Sequence, residues 1–334
     1  ATALLLRTIG MFFRVYMSNK IGAEGMGLYQ LIFSIYVLGS TFATSGICTA
    51  VTRLVTDELV TGTKKSVNAV LRKAIVLSVL IGVVSALLIF FGADPISRYW
   101  LKDLRAIPAL KVLCFSLPSM GVSSCLRGYF IARRKAASPS RAQIFEQIVR
   151  IGVVVFLIDR FAVLGLTFAC VAVMLGDTLA EIASCLYLAA GYFHDRRKVK
   201  IPPSPPVKQR HGVLYRLLAI AAPITAGRYL NTILRTIENI LVPSTLTKYS
   251  GSKEKALSSF GALKGMAMPL LFFPSSFLNS LSTLLIPEIS EASALHQQKK
   301  VNRAVGLTLQ ITLLSSILLS GLFTMFAREL GLVI

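Results

Sequence analysis

Nine apolar runs, each about long enough to cross a bilayer as a helix, dominate this chain. They lie near residues 2–18, 27–52, 70–93, 107–131, 141–158, 163–192, 214–242, 259–287 and 305–327. Roughly twenty residues at about 1.5 Å each cross the hydrocarbon of a membrane. Lipid offers backbone N–H and C=O groups no partner, so a spanning segment satisfies them internally, as a helix does. Hydrophobic residues make up 54% of the 334, and the mean hydropathy is +0.68, too apolar for an ordinary soluble domain. The chain therefore reads as all-α, a polytopic transmembrane helical bundle.

The formal charge of +21 needs an explanation in that setting. Lys and Arg collect in the cytoplasmic loops of membrane proteins. One set of alternate loops, which includes Arg53, Lys64, Arg133, Arg134, Arg196 and Lys299, holds nineteen basic residues; the other, which includes Lys20, Arg98, Lys102 and Lys253, holds nine. The first set is assigned to the cytoplasm, which puts the N-terminus inside and the protein in the cell membrane as a multi-pass chain. No basic-aromatic module of the nucleic-acid-binding kinds is present, so no nucleic-acid partner is expected. The five cysteines form no CxxC pair, and no metal, cofactor or disulfide framework is expected. The histidines, His194, His211 and His296, fall in expected loops.

DPISRYWLKDL (94–104) reads as an interfacial helix with Tyr99 and Trp100 at headgroup level, or as a plain loop. HDRRKVKIPPSPPVKQRH (194–211) is rich in proline and basic residues and reads as an extended, solvated linker. The expected organisation is a lobe of six spans over 1–193, a cytoplasmic linker over 194–212 and three spans of a second, partial lobe over 213–334. A faint repeat crosses the linker. Arg7 and Arg14 are seven apart, as are Arg228 and Arg235, and Gly27 aligns crudely with Gly261. A six-span period starting on the same side implies a parallel repeat about an axis along the membrane normal. A second lobe of six spans would extend past residue 334, and Ala1 already lies inside an apolar run, so both ends are expected to be incomplete.

Several charges lie inside the runs, where each costs about 2.5–3.5 kcal/mol on insertion scales. Arg7 and Arg14 share one helical face. Arg228, Asn231, Arg235 and Glu238 follow at steps of three, four and three, a polar stripe that lipid cannot face. An arginine-lined cavity suits an anion, above all phosphate or pyrophosphate, which guanidinium binds in bidentate fashion. Snorkelling of Arg7 and Arg14 and a topological role for Arg53 are the plainer alternatives. Glu146 and Arg150, four apart in SPSRAQIFEQIVRI, suit a structural ion pair. Asp177 and Glu181 suit either pairing with arginines of another span or a proton or cation site.

IGAEGMGLYQ (21–30) poses a separate question. Its G-x-x-G-x-G order differs from a dinucleotide fingerprint, no strand precedes it, and the helix it opens is a span. Gly22, Gly25 and Gly27 fit a tight turn and an outer gate or hinge, with Glu24 at the positive end of the following helix.

IGAEGMGLYQLIFSIYVLGSTFATSGICTAVTRLV resembles the first loop and second span of the stage V sporulation protein B group. That group lies in the polysaccharide transporter family of the multidrug/oligosaccharidyl-lipid/polysaccharide exporter superfamily, beside the lipid II flippases. SPSRAQIFEQIVRI resembles its fifth span. The resemblance implies a two-lobed transporter, not an enzyme, that works by alternating access. It implies an undecaprenyl-pyrophosphate-linked oligosaccharide substrate for cell-wall or spore-cortex peptidoglycan, with other cell-wall synthesis proteins as candidate partners. Arg7, Arg14 and Arg53 match the cavity arginines of the lipid II flippases by position. Those flippases also use an arginine in span eight, where this chain offers only Lys264, near the outer end; Arg228 and Arg235 are the candidate substitutes. The competing reading is a cation-coupled multidrug exporter of the same fold, using Na+ or H+ at Asp177, Glu181 and Glu238.

Overall fold

A computed structural model describes residues 2–44, 46–61, 64–135, 137–198, 212–272, 274–275 and 297–333. Among them no strand occurs. Helix α1 (Thr2–Thr44) supplies the first expected span and most of the second without a loop between them. It kinks at one residue, Gly22, with φ 68° and ψ 177°. That conformation is cheap only for glycine, so the expected turn is reduced to a single hinge residue. A second left-handed glycine, Gly46 (φ 72°), separates α1 from α2 (Ile47–Thr61).

Helix α3 (Lys64–Pro95) runs on through a π-helical turn, Ile96–Trp100. The expected interfacial helix is therefore the continuation of a span. Its aromatic residues face outward all the same, with Tyr99 71% and Trp100 54% exposed. The fourth expected span is two helices, α4 (Ala106–Leu113) and α5 (Ser116–Ala132). Pro108 and Pro118 sit in their first turns, where the missing N–H costs no intrahelical bond. Helices α6 (Ala137–Phe161) and α7 (Leu166–Lys198) pack side by side.

Helix α7 carries His194 to Lys198 in regular helix, so the start of the expected linker is helical rather than extended. Asp195 explains this. It is buried and accepts hydrogen bonds from Tyr129 Oη at 2.9 Å, from Arg133 Nε at 3.3 Å and from Lys135 Nζ, which tie the end of α7 to the end of α5. The rest of the expected linker, 199–211, lies outside the described residues, as do His211 and His296.

Helix α8 (Val213–Ser250) contains Pro223 and Pro243. After it come α9 (Lys253–Phe260), a π-helical segment (Gly261–Ala267), α10 (Met268–Phe272), α11 (Gln298–Met325) and α12 (Ala327–Val333). The eighth expected span is described only as far as 275.

Among the described residues, six helical stretches are long and apolar enough to cross a membrane: Leu5–Leu59, Ser66–Trp100, Ala106–Ala132, Leu166–Arg196, Val213–Ser250 and Gln298–Met325. Large apolar side chains coat the outside of α3 and α11, with Leu88 67%, Phe91 75% and Ile317 70% exposed. A bilayer covers such a surface; water would not tolerate it. The buried core centres on the second arm of α1. There Leu28, Leu31, Ile32 and Ile35 pack against α4, α5, α7 and α9. A second core joins α2, α3 and α5 to the start of α8 through Leu217 and Ala221.

Candidate substrate cleft

Helices α5, α6 and α7 enclose a cluster of five charges, of which Asp177 and Glu181 are buried and the others half-buried. On α6, Arg150 lies one turn beyond Glu146, and its Nη2 donates to Glu146 Oε1 at 3.0 Å. Arg150 Nη1 donates to Gln147 Oε1 at 3.1 Å, and its Nε stands 2.7 Å from Asp177 Oδ1 on α7. Arg127 on α5 donates to the other Glu146 oxygen at 3.2 Å and stands 4.0 Å from Glu181. Asp177 and Glu181 thus each face an arginine of a neighbouring helix. The second Asp177 oxygen is buried and has no hydrogen-bond partner among the described residues. Arg14, on the first arm of α1, lies within electrostatic reach of Asp177. It also lines a hollow with Met11, Val15, Gly265, Met266 and Pro269. Arg127 escaped the sequence reading, although it carried the same signal, a charge inside an apolar run (CLRGYF).

Two adjacent faces of α8 divide the work. Thr232, Thr236 and Asn239 dock on the second arm of α1. Thr232 Oγ1 lies 3.3 Å from Thr41 Oγ1, Thr236 Oγ1 donates to the Ser34 carbonyl at 3.4 Å, and Asn239 Nδ2 donates to Ser34 Oγ at 2.8 Å. The stripe of Arg228, Asn231 and Arg235 is displaced from this face by one residue and is exposed. Asn231 Nδ2 turns back to the Gly227 carbonyl at 3.1 Å. Glu238 closes the stripe by accepting from Lys264 of the π segment at 2.6 Å, so it is structurally paired. That end of the stripe lies against the π segment, against which α1 also packs. Arg228 and Arg127 both lie within electrostatic reach of Cys48 on α2. Arg7 and Arg53 are exposed on α1 and α2.

Among the described residues, Arg7, Arg14, Arg53, Arg228 and Arg235 have no acidic partner within 4.0 Å, whereas Arg105, Arg127, Arg133, Arg150 and Arg216 do. These ten arginines thus divide into five with carboxylate partners and five without.

The glycines bring the two halves of the chain together at the end of the bundle that carries the α1 kink. A Cβ on Gly27 would stand 2.2 Å from the Leu257 carbonyl oxygen, and one on Gly261 would stand 1.9 Å from the Ala23 carbonyl oxygen and 2.5 Å from the Gly27 nitrogen. Gly27 and Gly261 thus meet each other directly. Gly25 faces Leu166 of α7, with 2.7 Å left for a Cβ.

Ion pairs surround this crossing. Arg105 donates to Glu24 Oε1 at 2.7 Å and to Asp103 Oδ2 at 2.9 Å, and Lys253 of α9 stands 3.2 Å from Asp103. Burial works against the Asp103 carboxylate. The Arg105 side-chain and backbone hydrogen bonds and the Lys253 charge outweigh it, and the pKa of Asp103 lies below its ordinary value. At the opposite end, Arg216 of α8 bridges to Asp57 and Glu58 of α2, both at 3.2 Å.

The sequence profile of the family described as "Polysaccharide biosynthesis protein" matches residues 2–293. The chain belongs to that family. It is 28% identical over 332 residues to the stage V sporulation protein B of Bacillus subtilis, covering 99% of this chain and 64% of that protein. It is 22% identical over 324 residues to the lipid II flippase MurJ of the same organism, covering 92% of this chain and 59% of the flippase. The chain thus spans less than two thirds of the length of either. Among solved structures, the inward-facing conformation of a multidrug resistance MATE family transporter of the MOP superfamily superposes with a TM-score of 0.67. It does so at 15% identity, over 99% of this chain and 72% of that one. Family and fold agree with the resemblance drawn from the sequence.

Proposed function

We propose that this chain forms the substrate-handling part of a flippase that carries a polyprenyl-pyrophosphate-linked oligosaccharide, a lipid II-like precursor, across the cell membrane. Such a substrate serves peptidoglycan of the cell wall or spore cortex. The carrying observation is the group of arginines without counter-ions. An uncompensated guanidinium inside a span is costly and calls for an anion or water, and a pyrophosphate supplies two phosphate groups for bidentate bonds. Arg14 would act from α1 and Arg228 and Arg235 from α8, with Arg7 and Arg53 further along the path and Asn231 as a neutral donor. The lobes, 1–193 and 213–334, would rock about the Gly22 kink and the Gly27–Gly261 crossing, joined by the linker over 194–212. The nineteen-to-nine bias of basic residues supports a cytoplasmic N-terminus.

The test is a reconstituted lipid II flipping assay on the full-length protein. Hydrogen bonds to charged groups contribute about 1.5–3 kcal/mol each, so Arg14→Ala with Arg235→Ala should slow flipping at least about a hundredfold. Flipping at the unmodified rate would sink the proposal. The buried, unpartnered Asp177 oxygen favours a second reading, a cation-coupled multidrug exporter. Drug efflux abolished by Asp177→Asn, with flipping absent, would support that reading.

A further inference from the structure

A second cleft, separate from the arginine stripe, opens at the kink end of the bundle. Leu31 of α1, Leu101, Ile240 and Pro243 of α8 and Leu257 of α9 form its apolar floor. Lys102, Lys248 and Lys253 stand at its edge, beside the Ser244 and Thr247 hydroxyls. Those hydroxyls give their protons to the Ile240 and Pro243 carbonyls at 2.9 and 2.8 Å, and among the described residues no donor reaches their oxygen lone pairs.

The three lysines are not balanced locally. Lys253 shares Asp103 with Arg105, which also holds Glu24. Lys102 and Lys248 have no acidic group within 4.0 Å among the described residues, so the cluster keeps a surplus of positive charge. Lys102 adopts φ 52°, a left-handed conformation that is unfavourable for a non-glycine residue. A hydrogen bond from Lys253 Nζ to its carbonyl holds that strain in place. Backbone strain maintained beside a charged cleft calls for a use.

The level of the cleft is marked independently. Tyr249, next to Lys248, is 93% exposed, and Trp100 and Tyr99 flank Leu101 and Lys102. Exposed Tyr and Trp at the end of a transmembrane bundle lie at headgroup depth. A cleft that combines cations at headgroup depth with an apolar lining has the polarity of one ligand class.

We infer that this cleft binds the head and first chain segment of a phosphate-bearing lipid, with Lys102 and Lys248 as the principal phosphate contacts. One wall comes from α1 and the segment after α3, the other from α8 and α9. A bound lipid would therefore bridge the two halves and favour their closed arrangement at this end. The inference does not rest on what the arginine stripe carries.

The experiment uses full-length protein in phosphatidylcholine nanodiscs with phosphatidylglycerol, a long-chain polyprenyl monophosphate or inorganic phosphate as the probe, read by native mass spectrometry. Two lysines at a charged membrane surface together contribute on the order of thirtyfold in affinity. Lys102→Gln with Lys248→Gln should therefore retain about thirtyfold less of a phosphate-bearing lipid. The Lys102→Arg, Lys248→Arg pair should retain it, and melting in pure phosphatidylcholine should stay the same for all forms. Preference for the phospholipid or for the polyprenyl monophosphate identifies the source, and either supports the site. Equal retention by the Gln variant and the original protein overturns the inference. So does displacement of the lipid by inorganic phosphate alone, which would mark a soluble-anion site.

Discussion

Replacing Gly261 by alanine tests whether the Gly27–Gly261 crossing is a moving contact. The added Cβ would sit 1.9 Å from the Ala23 carbonyl oxygen and 2.5 Å from the Gly27 nitrogen. To restore ordinary contact near 3.4 Å, the π segment and α1 must part by roughly 1.5 Å, because helical backbone cannot yield as a flexible side chain can. Overpacking costs about 1–3 kcal/mol, and backbone obstruction on two sides puts this site at the upper end. A penalty of about 3 kcal/mol confined to the closed arrangement shifts its equilibrium with an arrangement open at this end by roughly a hundredfold. The assay is labelling with a membrane-impermeant thiol reagent in a cysteine-free background carrying Leu257→Cys, since Leu257 is buried against Gly27. Labelling should rise towards that hundredfold limit in Gly261→Ala, while a control cysteine at the buried Val70 stays silent. Unchanged labelling at Leu257→Cys, with an unchanged melting temperature, would refute the reasoning. The crossing would then not form in the membrane as described. Equal rises at both positions would indicate unfolding rather than gating.

Gly46→Ala should act at the opposite end. Its φ of 72° and a 2.3 Å approach to the Ala221 carbonyl oxygen predict a loss of about 2–4 kcal/mol, seen as a lower melting temperature and greater thiol access near Ala221. Arg150→Ala leaves Glu146 and Asp177 without their shared cation and should cost about 3–5 kcal/mol by chemical denaturation in detergent. A change below about 1 kcal/mol would show that the cluster is solvated. Asp103 holds its proton less readily than an ordinary carboxylic acid, so its pairs with Arg105 and Lys253 stabilise fully above the ordinary value and are lost only as pH falls through the lowered one. Taking the pH from about 7 to about 5 should leave labelling at Leu257→Cys unchanged, and a rise over that interval would contradict the assignment.

Much of the architecture was legible because its signals are local. Runs of apolar residues report spans directly, since each span must satisfy its own backbone in lipid. The four-residue step from Glu146 to Arg150 and the repeated steps along α8 follow from helical geometry alone. Breaks that depend on a single dihedral angle were less visible. IGAEGMGLYQ reads as a turn of several residues, yet one left-handed glycine, Gly22, makes the whole bend, and helix continues on both sides of it. Asp195 reads from the sequence as part of a solvated linker, yet Tyr129 of α5 and Arg133 and Lys135 just after it hold Asp195 within a helix that runs on to Lys198.

By itself, the sequence determined an all-helical, multi-pass membrane protein and the set of intramembrane charges that need a reason. Hydrocarbon forces both conclusions, whatever the packing. Which arginines are neutralised and which stand without a counter-ion was decided only by tertiary structure. Arg127 and Arg150 find carboxylates because α5, α6 and α7 lie side by side, whereas Arg228 and Arg235 do not, because the face of α8 next to theirs took the place against α1. The meeting of Gly27 with Gly261 is of the same kind. No local propensity brings residues so far apart in the chain within backbone contact; only the docking of one half on the other does.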